Sequence, residues 1–248
     1  MNERPAAGSP SQTDVVIDGL KRLIVDGTLR AGDRLPIEKD LAAQLGVSRG
    51  SLREGVRALA LLGVLETRQG DGTYVTSLEP GRLLSPVSFL AELPDPDGNA
   101  HLLGVRRVLE AESAALAARS VTDEELDEME AVLAGIDDLI EAPGEVDLDR
   151  FIEADSAFHR AIAHASRNPA LAALIENLGG RTLRTRLWRA VTEQDAIAAT
   201  HREHRGVLAE LQRRDPERAR IRMEMHILAV EEFAATHRDV AAESASTQ

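Results

Sequence analysis

The stretch Leu41-Ala42-Ala43-Gln44-Leu45-Gly46-Val47-Ser48-Arg49-Gly50-Ser51-Leu52-Arg53-Glu54 decides the fold of the first third of the chain, because it reads as two short helices joined by a glycine turn. Leu41 and Leu45 stand four apart on the first helix. Gly46 supplies the left-handed conformation that ends it, and Ser48 caps the next. The second helix begins at Arg49, with Arg53 on the same face at i, i+4. Residues at the start of such a second helix meet base edges in a helix-turn-helix. Both arginines then reach guanine or phosphate.

The flanks extend this module. Val15, Val16, Leu20, Leu23 and Ile24 recur at helical spacing, and Gly27 with Gly32-Asp33 turns the chain toward Leu35-Pro36. After the recognition helix, Val64–Thr67 and Thr73–Thr76 read as two short strands around Arg68-Gln69-Gly70-Asp71-Gly72. This predicts a wing, whose glycines permit positive φ and let backbone come close to a phosphate.

The stretch from Val16 to Val75 resembles the winged helix-turn-helix of the GntR family of bacterial regulators. The resemblance is carried by Gly32-Asp33-Arg34-Leu35-Pro36, Glu38, Leu41-Ala42, Leu45-Gly46-Val47-Ser48-Arg49, Leu52-Arg53-Glu54, Leu59, Gly63 and Gly72-Thr73-Tyr74-Val75. It implies DNA contacts at Arg34, Lys39, Ser48, Arg49, Gly50, Ser51, Arg53 and Gly70. Two positions depart from the pattern. Gly50 has no side chain for a base, and Gly55 stands where the family usually has alanine. A helical glycine costs about 0.5–1 kcal/mol against alanine, so a somewhat loose recognition helix is expected before DNA binds.

The chain has 248 residues, enough for two domains with their own cores. Its net charge of −13 is unevenly spread: residues 1–78 hold 10 Lys+Arg and 10 Asp+Glu, leaving 19 against 32 in residues 79–248. A globally acidic protein must bind DNA through local basic groups, with steep salt dependence. The absence of cysteine excludes disulfides and thiolate metal sites. The polar, Pro/Gly/Ser-containing start, Met1 to Gln12, reads as a disordered tail without a signal-peptide pattern, and no apolar run approaches 18 residues. A cytoplasmic protein is expected. With one Trp, one Tyr and four Phe, stacking platforms are too few for a single-strand or RNA binder.

Residues 79–100, punctuated by Pro80, Pro86, Pro94 and Pro96, read as a linker with a short helix through Leu83, Leu84, Val87 and Leu90. The DNA-binding domain then spans 12–78 and an all-α bundle spans 101–236. Helices are predicted over about 101–119, 122–141, 147–166, 168–190, 197–213 and 216–236. Their starts are marked by the capping box Thr122-Asp123-Glu124-Glu125 and by Asn168-Pro169 and Asp215-Pro216. The fold class is mostly α with a small β wing.

Four polar residues interrupt the apolar stripes of this bundle. Asp155 and His159 fall at i, i+4 among Phe151, Ile152, Phe158 and Ile162. His204 shares a face with Val207, Leu208 and Leu211, and His226 with Ala219, Met223, Ile227 and Val230. A carboxylate facing a core needs a partner. Taken singly, each reads as a hydrogen-bonded core residue. Converging from three helices, they would make a three-nitrogen, one-oxygen site suited to zinc, nickel or another divalent ion. Residues from about Leu102 to Val230 resemble the FCD ligand-binding domain that follows the winged helix in the FadR-type group of the GntR family. The matched residues include Val105-Arg106-Arg107-Val108-Leu109-Glu110, Asp155, Phe158-His159, Asn168-Pro169, Glu203-His204, Asp215, Met223 and His226. The resemblance implies that Asp155, His159, His204 and His226 hold a metal, with His201 a possible substitute. His101, His164 and His237 read as solvated or structural.

Arg106 and Glu110 are spaced for an ordinary helix-surface ion pair. The resemblance instead puts Arg106 in the pocket, against the carboxylate of a small organic acid, with Arg107 the alternative. Arg181, Arg184, Arg186 and Arg189, near Trp188, read as a solvated or interface face without a ligand role. The function implied is a homodimeric, effector-responsive operator-binding regulator, a repressor as most of the family are. Two alternatives use the same residues: a metal-dependent hydrolase, which needs no DNA module, and a regulator whose metal is purely structural.

Overall fold

The computed structural model describes residues 10–86, 98–141, 147–193 and 195–237. It divides into two compact units, Met1–Pro86 and Val87–Gln248.

In the first unit, α1 (Gln12–Val25), α2 (Glu38–Leu45) and α3 (Arg49–Leu61) precede a two-stranded antiparallel sheet of β1 (Leu65–Arg68) and β2 (Gly72–Val75), then the short α4 (Pro80–Leu83). Helix α1 starts earlier than the apolar spacing suggests. Ser11 accepts from the Asp14 amide while Asp14 accepts from the Ser11 amide, a reciprocal cap that brings Ser11 and Gln12 out of the expected tail. Met1 to Ser9 lie outside the described residues. Gly46 ends α2 at φ 69°, and the Ser48 hydroxyl accepts from the Ser51 amide at 3.1 Å to open α3. The strands pair from Leu65 opposite Val75 to Arg68 opposite Gly72, one residue C-terminal (β1) and N-terminal (β2) of the expected ranges. That register buries Leu65 and Val75 with Val16, Leu20, Leu41, Leu52 and Leu59.

Gly55 is buried where α1 crosses α3, and a Cβ there would lie 2.4 Å from Val16 Cγ1. The glycine therefore permits the crossing rather than loosening the helix. Gly55→Ala gains up to about 1 kcal/mol of helix propensity but overpacks a filled contact, which typically costs about 1–3 kcal/mol. Urea unfolding is expected to report a net loss on the order of 1 kcal/mol, partly relieved in the Val16→Ala background. A more stable Gly55→Ala variant would disprove the close crossing.

The second unit comprises α5 (Gly98–Ser120), α6 (Asp123–Ala134), α7 (Asp137–Glu141), α8 (Leu148–Ala165), α9 (Pro169–Thr192), α10 (Ala196–Gln212) and α11 (Pro216–Thr236). Thr122, Asn168 and Asp215 cap their helices as the sequence predicts. The helix expected over 122–141 is broken. At Gly135 the backbone amide closes α6 onto Ala131 and Leu133 carbonyls, Ile136 turns inward to 2% exposure, and Asp137 is drawn to Arg205 and His201 on α10. Of the predicted linker helix, Leu83 lies in α4 and Leu84 follows it, whereas Val87 and Leu90 lie outside the described residues.

Small side chains let the helices of this bundle approach closely. Ala114, Ala117 and Ala118 of α5 meet Met129, Phe158, Ile162, Leu208, Leu211, Met223 and Ile227 in one core. Each large side chain buried there is worth about 1.5–3 kcal/mol. The same three helices, α8, α10 and α11, also carry the buried polar side chains Asp155, His159, His204 and His226. No described helix is long and apolar enough to cross a membrane.

Candidate functional site

Helix α8 carries Asp155 and His159 one turn apart, α10 carries His204 and α11 carries His226; all four are at most 4% exposed. One ligand atom from each lies within 4.8 Å of the others. His226 Nε2 is 3.2 Å from both His204 Nε2 and His159 Nε2, and Asp155 Oδ1 is 3.8 Å from His204 Nε2 and 4.0 Å from His159 Nε2. His201 is not part of this group, being paired at 2.9 Å with Asp137. His164 is exposed and pairs with Glu176, His101 is exposed, and His237 packs on Trp188 and Phe233.

The outer nitrogens decide what the inner ones can do. His159 Nδ1 meets Glu110 Oε2, and His226 Nδ1 meets Glu203 Oε2 at 2.8 Å. In the tautomer that donates each Nδ1–H to its carboxylate, the Nε2 atoms of His159 and His226 present lone pairs to each other across 3.2 Å. Lone pairs so placed are bridged by a shared proton or by a metal ion. Nitrogens at this spacing suit ligands of one ion at about 2.0–2.1 Å, and carboxylate-oriented imidazoles are the usual support of such a site. Burial, together with the imidazoles of His226 and His159, holds the His204 pKa well below its ordinary value. Burial outweighs Glu203 and pushes His226 down to about 4. Both are therefore neutral at pH 7, the form that coordinates a metal.

Neither supporting carboxylate was assigned that role in the sequence reading. Glu110 is 2% exposed, so its pairing with Arg106 is not a surface one. Burial alone would raise the Glu110 pKa, but the Arg106 guanidinium and the His159 imidazole outweigh it and hold the carboxyl well below the usual range. Arg106 Nε and Nη2 reach Glu110 Oε1 at 2.6 and 2.5 Å, and Nη1 donates to Thr182. Arg107 points elsewhere, to Glu224 at 2.9 Å and Glu231 at 3.0 Å.

Arg186 corrects the reading of its helix segment as a solvated face. It is 7% exposed, ion-pairs with Asp155 through Nη1 and donates from Nη2 to the Gly179 carbonyl at 3.0 Å. Burial, then the nearby Arg106 charge, lowers its pKa to about 9, so it remains cationic at neutral pH. Arg189 is also buried and pairs with Glu193, while the side chains of Arg181 and Arg184 lie outside the described set. The signal was helical register: Thr182, Thr185, Arg186 and Arg189 continue the buried face of Ile175 and Leu178. A cavity of about 290 Å³ opens beside His159, with Arg106, Ser156, Ile175, Gly179 and Arg186 among its walls.

In the first unit, a concavity of about 630 Å³ between α3 and the wing is lined by Arg34, Arg53, Arg57, Arg68 and Gly70 among others. Lys39, Ser48, Arg49, Gly50 and Ser51 do not line it and sit at the starts of α2 and α3. Arg53 is held by Glu38, with nitrogen–oxygen distances of 2.8–3.0 Å. Arg34 donates to the Asp71 carbonyl and packs over Gly72, where a Cβ would come within 2.6 Å of its Nε. Gly70 takes φ 76° at the wing tip. Arg57 was not singled out in the sequence, although it continues the i, i+4 series of Arg49 and Arg53.

Two family models match this chain: bacterial regulatory proteins of the gntR family over residues 12–75, and the FCD domain over residues 101–229. The HTH-type transcriptional regulator LutR of Bacillus subtilis is 31% identical over 215 residues, covering 85% of this chain and 95% of that protein. The Glc operon transcriptional activator of Escherichia coli is 36% identical over 165 residues, 66% of this chain and 65% of its own length. A solved structure of Streptococcus agalactiae GntR superposes with a TM-score of 0.64 at 29% identity, covering 89% of this chain and 99% of that one. These relatives are regulators and not enzymes, which removes the hydrolase alternative. The chain belongs to the GntR family of bacterial transcriptional regulators, in the group that carries an FCD domain.

Proposed function

We propose that residues 12–78 read a pseudo-palindromic operator as part of a homodimer, and that residues 101–236 bind a small carboxylate effector and dimerise, with 79–100 as the connection. The observation that carries this reading is the buried Asp155/His159/His204/His226 group, of which His159 lines a cavity whose wall also carries Arg106 and Arg186. Zinc or nickel held by these four side chains would supply a Lewis-acidic point for one carboxylate oxygen. The chain's own residues do the rest. Glu110 and Glu203 fix the His159 and His226 tautomers, and the cationic walls favour an anion over a neutral ligand. Exposed apolar side chains at Val105 and Val108 on α5 and at Ile221 and Met225 on α11 support self-association.

An acid seated between α5, α8 and α9 is expected to shift their packing and so alter operator affinity. We propose repression as the direction, although one relative is named as an activator. The test is reciprocal. An acid that raises the melting temperature should change operator affinity by some factor, and bound operator should change the affinity for that acid by the same factor. Fluorescence anisotropy and calorimetry on the full chain measure both. Acid binding without any change in operator affinity would sink the effector reading, and a reporter assay with and without the acid fixes the direction.

A further inference from the structure

Helix α9 walls the cavity beside His159 with Ile175, Glu176, Gly179, Gly180, Leu183 and Arg186. Ile175, Glu176, Leu183 and Arg186 stand three, four or seven residues from Gly179, which puts Gly179 at the centre of that helical face. Two adjacent glycines in mid-helix are unfavourable, since glycine is the poorest interior residue after proline. Both lie far from the ends of Pro169–Thr192, so neither serves as a cap.

Close packing accounts for helical glycines elsewhere in the chain. A Cβ would lie 2.6 Å from Leu45 Cδ2 at Gly19 and 2.4 Å from Val16 Cγ1 at Gly55. At Gly179 and Gly180 it would meet no neighbouring atom within 4 Å. What lies over Gly179 is the cavity of about 290 Å³. Alanine there would strengthen α9 and clash with no protein atom, so neither propensity nor packing explains the pair, and a function that needs the room does.

The opposite wall shows what chemistry that room would serve. There α8 presents Ser156, His159 and Arg160, and His159 belongs to the buried group with Asp155, His204 and His226. Arg106 is held by Glu110 and Thr182, and Arg186 by Asp155 and the Gly179 carbonyl. Arg160 is exposed and has no acceptor among the described residues. Glu176, the carboxylate on the α9 side, is turned to His164 at 2.8 Å.

We propose that Gly179 and Gly180 are the specificity-determining positions of the cavity, their absent side chains leaving the space that the carbon body of a multi-carbon organic acid fills between α8 and α9. This rests on the reading of the cavity as the effector site. Gly179, the less exposed of the two, sets the limit on size.

The test uses the zinc-loaded full chain, with melting curves in the absence of acid and calorimetric titration with acetate, glycolate, L-lactate, L-malate and citrate. Wild type should bind at least one of these. If it binds none, the effector reading fails and this inference fails with it. Without acid, Gly179→Ala should melt about 2–4 °C above wild type, because alanine is the better helix former and its Cβ meets nothing. Zinc content should not change. For the largest acid that wild type binds, Gly179→Val should weaken binding about 10-fold or more, as overpacking a filled site does, and Gly179→Ala by a smaller factor. Where a smaller acid also binds, it should lose less, and equal losses would overturn the proposal. Wild-type affinity for the largest acid in Gly179→Val overturns it while leaving the effector site standing. A lower melting temperature in Gly179→Ala overturns it too, making the glycine a packing residue of α9.

Discussion

His226→Ala is expected to empty the bundle of its divalent ion and to lower the melting temperature by about 10 °C. Elemental analysis of the wild-type chain should find about one ion per chain, because four convergent ligands hold one ion and leave further positions to a five- or six-coordinate metal. Taking free metal at about 1,000 times its dissociation constant, binding stabilises the folded state by about 4 kcal/mol, and each kcal/mol is worth about 2–4 °C in a chain of this size. His226 is the most informative ligand to remove. Its Nε2 is the one nitrogen within 3.2 Å of both other imidazoles, so its loss breaks the cluster at its centre. A histidine deleted from a core also leaves a void, and a chelator separates the two causes. Wild type should lose stability on chelation, whereas His226→Ala should not respond. Glu203→Gln, which weakens only the support of that imidazole, should reduce metal affinity by about 10–100-fold with the ligands intact. An unchanged ion count in His226→Ala would make these histidines ordinary core residues.

How much of this site can be read from the sequence depends on the range of the interaction. Gly46, Ser48, Thr122, Asn168 and Asp215 act within a few residues of themselves, and their turns and caps appear where local chemistry puts them. Asp155 and His159 are equally legible, since one helical turn fixes their common face. His204 and His226 can be read as inward-facing, but their meeting point depends on how α8, α10 and α11 pack. That convergence came from the family resemblance and not from spacing. Glu110 and Arg186 were misread for the same reason. The i, i+4 pair Arg106–Glu110 looks the same on a surface and in a core, and only the packing of α5 on α8 and α9 removes it from water. The role of Gly55 was misread as loosening and the break at Gly135 was missed, because close approach of two helices and a break in one are decided by tertiary contacts, here Val16 and the inward turn of Ile136.

Arg49→Ala and Arg53→Ala are each expected to weaken operator binding by about 1–3 kcal/mol if the arginine makes a bidentate base contact, with Arg53→Ala at the lower end. The difference follows from Glu38. Arg53 already holds that carboxylate at 2.8–3.0 Å, so part of what a DNA contact contributes offsets the pair it replaces. Both partners are more than half exposed, and an exposed pair adds little to folding, so the variant should remain folded. Glu38→Gln should then raise the affinity of otherwise wild-type protein by freeing Arg53 and removing a charge that DNA repels. An operator selected with the wild-type chain from a random duplex pool, titrated by anisotropy at several salt concentrations, distinguishes the kinds of contact. Loss of a phosphate contact flattens the salt dependence by about one unit of slope, whereas loss of a base contact lowers affinity at every salt concentration with the slope unchanged. Wild-type affinity in both arginine variants would take α3 out of the operator interface and leave the wing and Arg34 to carry it.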